Sequence, residues 1–208
     1  EVENTNTALQ NIASFLIKKI NPKIIAITGS NGKTTTKELA SIILRNFFSD
    51  KHVLVSKGNF NNNIGLPLTI LGLKKEHKYV LLEMGMNHKG EIDQLCKIAP
   101  PDIAVITNIG EAHIENFKSR DDIASAKKEI LTGAKRKSIA ILPVEDDYYD
   151  FLRSSSNIKK VIKFGFDNTC DIRFYPNENL YSIKTKKIAI HSKLIGKHNR
   201  INIMAAIA

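Results

Sequence analysis

The chain has 208 residues, 42% of them apolar and 25% charged, a globular mix that excludes wholesale disorder and collagen-like structure. Its formal charge is +10, from 31 Lys+Arg against 21 Asp+Glu; that balance favours anionic partners such as nucleotides or phosphorylated substrates, or else describes a solvated lysine-rich surface. No apolar run approaches the roughly 18 residues of a membrane span, so no membrane insertion is expected, and Cys96 and Cys170 stand too far apart for a metal or disulfide framework.

Glu1-Val2-Glu3-Asn4-Thr5 is polar, with neither an initiator Met nor a signal-peptide pattern, and a helical pattern from Asn199 stops at Ala208. The expectation is a piece of a longer, cytoplasmic protein with free thiols. In chain order, strands are expected at 23–28, 52–55, 79–84, 102–108, 138–142 and 160–164. Helices are expected at 8–20, 33–48, 64–73, 90–98, 121–134 and 147–154. Apolar strands alternating with helices imply an α/β fold, a mostly parallel sheet covered on both faces. From about residue 170 the pattern turns to strands alone (171–175, 180–185, 187–191), the signature of a small antiparallel flap over 170–192.

The first strand runs into Thr28-Gly29-Ser30-Asn31-Gly32-Lys33-Thr34-Thr35-Thr36 and then a helix. Two glycines permit a tight turn of inward-pointing amides, the helix N-terminus adds partial positive charge, and Lys33 reaches β- and γ-phosphates. Thr34 places a hydroxyl where a P-loop supplies a Mg²⁺ ligand. The general P-loop glycine would fall at Ile27, so this is a shorter variant that begins at Gly29; the reading is ATP binding through Gly29 to Thr35. In an open parallel sheet, ligands bind outside the carboxyl ends of the strands. Glu83 ends the apolar run from Tyr79 to Leu82, and the segment Thr107-Asn108-Ile109-Gly110-Glu111-Ala112-His113 brings His113 to the same edge. A lone acid or imidazole there is commonly a cap or a surface residue. Their convergence with the glycine loop makes Glu83 and His113 candidate Mg²⁺ ligands.

At 100° per residue, Lys127 falls on the apolar face of its helix with Ile123, Ile130, Leu131 and Ala134, while Lys128 and Glu129 point away. Two readings are open. Lys127 snorkels past its apolar neighbours to solvent, or it enters the nucleotide site with a depressed pKa, its amine able to take up CO₂ as a carbamate that serves as another carboxylate ligand.

These segments together resemble the Mur ligase family, and within it the branch that adds D-alanyl-D-alanine to UDP-N-acetylmuramoyl-tripeptide. The resemblance is carried by Gly29 to Glu38, Asn59-Phe60-Asn61-Asn62-Asn63-Ile64-Gly65-Leu66-Pro67, Leu82-Glu83-Met84-Gly85-Met86-Asn87, the His113 segment, Ala126-Lys127, and Gly196-Lys197-His198-Asn199-Arg200-Ile201-Asn202. One departure is Lys128, where that branch usually has Gly. The resemblance implies an entry segment over 1–22 and a central ATPase domain over 23–208, with an N-terminal UDP-binding domain and a C-terminal domain absent. It implies adenine contacts from Asn199 and Asn202, substrate contacts from Asn62 and Asn63 (or an Asn-rich turn), and catalytic roles for Lys33, His113 and Lys127. Two Mg²⁺ sites follow, one on Thr34 and Glu83 and one on His113 and carbamylated Lys127. The implied partners are ATP, UDP-N-acetylmuramoyl-tripeptide and D-alanyl-D-alanine, with no nucleic acid and a monomeric state. Rival readings are a diamino-acid-adding Mur ligase, a folylpolyglutamate synthase, and a P-loop switch. The last usually carries the full-length loop and a strand-end Asp, which Ile27 and Glu83 do not supply.

Overall fold

The computed structural model describes residues 1–112, 114–155 and 157–208. Helix α1 (Thr5–Ile20) begins three residues earlier than the apolar periodicity indicates, because the Asn4 side chain accepts the Thr7 N–H at 2.9 Å and caps its first turn. It ends at Asn21 in the left-handed conformation, φ 51°. Then come β1 (Lys23–Thr28), α2 (Lys33–Phe48), β2 (Val53–Val55), α3 (Gly65–Leu71), β3 (Tyr79–Glu83), α4 (Glu91–Ile98) and β4 (Ile103–Ile106). The chain continues through α5 (Arg120–Thr132), β5 (Ser138–Pro143), α6 (Tyr149–Arg153) and β6 (Ile158–Gly165) to β7 (Ile172–Tyr175), β8 (Leu180–Ile183), β9 (Lys186–Ile188) and α7 (Lys197–Ile207).

One nine-stranded sheet runs in the order β2-β3-β1-β4-β5-β6-β7-β8-β9. The strands from β1 to β7 pair in parallel, and β8 and β9 add to β7 in antiparallel fashion. The strands-only tail is therefore antiparallel as expected, and it is also continuous with the main sheet: Phe164 of β6 aligns with Ile172 of β7. Tyr181 of β8 anchors this tail. Its ring is buried at 4.8 Å from Phe174, and its hydroxyl accepts from Arg200 of α7 at 3.0 Å.

Strand alternation sorts the core into two layers. Ile24 and Ala26 of β1, Val80 and Leu82 of β3, and Ala140 and Leu142 of β5 face one cluster with residues of α1, α3, α4 and α5. Ile27, Leu81, Val105 and Ile141 face the other, beneath α7 and the partly buried side of α2. Both faces are covered, which is why these strands read as unbroken apolar runs. Each buried Ile or Leu contributes roughly 1.5–3 kcal/mol relative to exposure. The functional consequence lies in the strand order. Chain growth from β1 proceeds to β3 on one side and then crosses to β4 on the other, so the exits of β1, β3 and β4 meet at the switch point where such sheets hold ligands.

Candidate functional site

The loop after β1 has the shape its glycines allow. Gly29 has φ 150° and Gly32 φ 79°, conformations costly for side chains with a Cβ. Space is equally restrictive. A Cβ at Gly29 would stand 1.9 Å from Thr107 Oγ1, and one at Gly32 2.1 Å from Asn202 Oδ1. The loop is thus pressed between the exit of β4 and helix α7. The segment after β4 pins its apex. Ser30 N–H donates to the Asn108 carbonyl at 3.0 Å, and Ser30 Oγ accepts from Gly110 N–H at 2.8 Å. The Asn108 amide brackets Asn31, accepting its N–H at 3.1 Å and donating to its carbonyl at 2.9 Å, while Thr107 Oγ1 donates to that carbonyl at 2.6 Å. Lys33, at the start of α2, folds its ammonium across the loop to the carbonyls of Gly29 (2.8 Å) and Ser30 (3.2 Å). Burial lowers its pKa, with Glu83 opposing.

Glu83 is the acid of the site. The β1–β3 register sets it beside Ile27, and its side chain is 2% exposed. Thr34 Oγ1 donates to Glu83 Oε2 at 2.7 Å, and Asn61 Nδ2 donates to Oε1 at 2.9 Å. Lys37, one turn beyond Lys33 on α2, is wholly buried with Nζ 4.0 Å from Oε2, 3.2 Å from Glu38 Oε1 and 3.2 Å from the Gly58 carbonyl. Asn61, Lys37 and the Thr107–Asn108 clamp carry no role in the sequence reading. Lys37 was within reach of it, since the i, i+4 spacing places it on the Lys33 face. Asn61 was not, because nothing in Asn59-Phe60-Asn61-Asn62-Asn63 says which asparagine turns inward.

Lys127 is 2% exposed, so it does not snorkel to solvent; it is buried as the helical periodicity places it. Burial first, and the Lys33 charge second, lower its pKa from 10.5 to about 7. Lys128, in contrast, lies toward the surface and donates to the Phe151 carbonyl (2.6 Å) and Ser154 Oγ (2.9 Å). Glu129 points away from the apolar face and into the start of α4, accepting Gly90 N–H at 2.7 Å and Asp93 N–H at 3.1 Å. His113 lies outside the described residues.

Asn202 is buried, accepts from Thr36 Oγ1 at 3.4 Å and faces Asn199 Oδ1 at 3.4 Å. With Asn31, Gly32, Asn108 and His198 it lines a cleft of about 400 Å³ against the glycine loop. Asn199 donates to the Ile195 carbonyl at 2.8 Å. Asn62 caps α3, its Oδ1 accepting Ile64 N–H at 3.1 Å and Gly65 N–H at 2.8 Å, which makes the turn reading of that residue concrete. Asn62 and Asn63 are exposed along a second, polar cleft of about 400 Å³ shared with Gly85, Asn87, His88 and Gln94.

Among the described residues no three His, Cys, Asp or Glu side chains gather as a metal cage. The facing hydroxyl of Thr34 and carboxylate of Glu83 are hard oxygen donors at 2.7 Å, the sparse protein set that suits Mg²⁺, which retains waters and phosphate oxygens. The residues present therefore fit that ion.

A parallel α/β sheet, a glycine loop opening a helix, and a hydroxyl–carboxylate pair at the helix start define a P-loop-type nucleotide-binding domain. Residues 27–208 match the family described as the Mur ligase middle domain, an ATP-binding family, and the chain belongs to it. The UDP-N-acetylmuramoyl-tripeptide--D-alanyl-D-alanine ligase of Bacillus subtilis is 40% identical over 210 residues, covering all of this chain and 45% of its own length. A crystal structure of MurF from Acinetobacter baumannii superposes with TM-score 0.90 at 34% identity, covering 99% of this chain and 46% of that one. MurF ligase from Thermotoga maritima in complex with ADP superposes at 0.83 with 31% identity, over 99% and 49%. The chain thus spans about half the length of the relatives it matches.

Proposed function

We propose that this chain, with 23–208 as its ATPase domain and 1–22 leading into it, is the ATP-binding part of a peptide ligase that joins D-alanyl-D-alanine to UDP-N-acetylmuramoyl-tripeptide. The observation that carries the reading is the Thr34–Glu83 contact of 2.7 Å at the start of α2, beside the Lys33 ammonium folded over the glycine loop. The names of the relatives, and the ADP bound by one of them, support it.

A carboxylate is a poor acyl donor because its leaving group would be oxide. ATP would phosphorylate the terminal carboxylate of the tripeptide, the amine of D-alanyl-D-alanine would attack the acyl phosphate, and the tetrahedral intermediate would expel phosphate. The amides of Gly29 to Thr35 would cradle the phosphates. Lys33 would exchange its bonds to the loop carbonyls for phosphate oxygens and neutralise charge on the transferring group. Asn199 and Asn202, beside the cleft against Gly32, would contact adenine. Thr34 and Glu83 would hold one Mg²⁺, and His113 with carbamylated Lys127 a second near the acceptor. Bound there, the ions would lessen repulsion between two anionic reactants. Asn63, with Asn62 positioning its turn, would border the substrate in the polar cleft. Coverage of about half the relatives' length supports a site completed by other domains, so the isolated chain is expected to bind nucleotide weakly and to lack turnover. Among the described residues no helix is long and apolar enough to cross a membrane.

The test is product analysis of the full-length protein with ATP, UDP-N-acetylmuramoyl-tripeptide and D-alanyl-D-alanine. ADP, phosphate and the pentapeptide product are expected in equal amounts. Coupling of glutamate or a diamino acid in place of D-alanyl-D-alanine would refute the assignment and favour the rival ligases.

A further inference from the structure

We infer that Asn61 is a positioning residue for Glu83: its amide holds the carboxylate in the one orientation that presents Oε2 to Thr34. This rests on the nucleotide-and-metal reading above and adds a residue to it. Main-chain geometry alone does not orient a glutamate, which keeps three side-chain torsions after its Cα is placed. The Ser56 hydroxyl accepts the Glu83 N–H at 3.1 Å and fixes only its backbone. The carboxylate then faces two pulls. Lys37 Nζ lies 4.0 Å from Oε2, a buried positive charge that competes with Thr34 for this oxygen. The Asn61 amide holds the opposite oxygen at 2.9 Å. A carboxylate only accepts, so it is the NH₂ of Asn61 that faces it.

The placement of Asn61 is itself built. Its carbonyl accepts Gly85 N–H at 2.8 Å, which staples the loop to the exit of β3. Lys37 holds the same loop three residues earlier through the Gly58 carbonyl. A Cβ at Gly85 would stand 2.9 Å from Asn61 Cγ, so the amide occupies space that only glycine leaves. Partners that orient a metal-binding carboxylate typically change metal affinity by about 10–100-fold when removed.

The experiment titrates Mg²⁺ into the full-length protein with a fluorescent ADP analogue and reads nucleotide binding, not turnover. For Asn61→Ala, the Mg²⁺ concentration giving half-maximal binding should rise about tenfold or more, with binding in EDTA unchanged. Gly85→Ala, which retains Asn61 but crowds its amide, should shift the Mg²⁺ midpoint in the same direction. Should Asn61→Ala fail to fold, Gly85→Ala decides by the same measure. An unshifted midpoint in a folded variant overturns the role of Asn61. So does an equal loss of binding with and without Mg²⁺, which would mark a general defect of the loop. Wild-type binding that ignores Mg²⁺ overturns the metal assignment beneath it, and this inference with it.

Discussion

Replacing Lys127 with Met should stabilise the domain while removing its chemistry. The two side chains have similar volume, so the buried site is refilled without a cavity. What changes is the cost of desolvating an ammonium. Folding lowers the proton affinity of Lys127 from 10.5 to about 7, so between those values the unfolded chain binds more protons than the native one. Stability conferred on the wild type therefore rises with pH across that window. The penalty relative to a neutral side chain is about 5 kcal/mol near pH 6, about 2 kcal/mol at pH 9, and vanishes above the unfolded pKa. Relaxation and water entry make these figures ceilings. Denaturant unfolding of wild type and Lys127→Met in CO₂-depleted buffer with EDTA, at pH 6, 7.5 and 9, measures the difference. A variant more stable at pH 6, with an advantage that shrinks toward pH 9, is expected. A variant that is less stable at pH 6, or whose advantage is independent of pH, refutes the claim that Lys127 is buried against its charge.

Lys33→Ala in the full-length protein should lower turnover by about a hundredfold to a thousandfold or more, because the loop amides alone leave the transferring phosphoryl under-neutralised; near-normal steady-state rates would contradict its placement. Lys127→Ala should be nearly inactive and regain part of its activity with a short carboxylic acid in the buffer; absence of rescue in a folded variant would count against the carbamate. Gly32→Ala forces a Cβ into φ 79° and against Asn202 Oδ1; a loss of about 1–2 kcal/mol in stability and weaker nucleotide binding by calorimetry are expected, and an unchanged affinity would show the loop to be more pliant than its contacts. At the opposite end of the sheet, burial opposes ionisation of Asp102, but the Ile24 N–H and the Lys135 and Lys23 ammonium groups outweigh it and hold its carboxyl below the usual range. A depressed carboxyl stabilises above its unfolded pKa and loses that contribution as pH falls through the folded one. Asp102→Asn should thus cost about 1 kcal/mol at neutral pH and progressively less below pH ~4, read from unfolding midpoints; a constant difference would refute the ion-pair account.

How far the sequence discloses this molecule depends on which force places each residue. Burial is periodic, and periodicity is visible in a string. The alternation that sends Ile24 and Ala26 to one core and Ile27 to the other appears as apolar runs of strand length, and the same logic puts Lys127 inside. Boundaries are set by caps instead, and these shift the ends: α1 starts early on Asn4, and α5 starts behind a Ser119 cap and ends at Thr132 with Gly133 at its C-cap. Two short 3-10 turns, Asp50–His52 and Ile114–Asn116, have no periodic signal and are absent from the sequence reading. The site divides in the same way. Its glycine loop, Thr34 and Glu83 stand at strand ends or at the start of a helix, where topology alone delivers them to one edge. Asn61, Thr107 and Asn108 reach the site through hydrogen bonds between segments distant in the chain, 22 residues from Asn61 to Glu83 and 77 from Asn31 to Asn108. No local pattern encodes such pairings. A site therefore divides physically into groups carried in by the fold and groups that orient them. The second kind, whose partners lie across the sheet, becomes legible only when the strands are side by side.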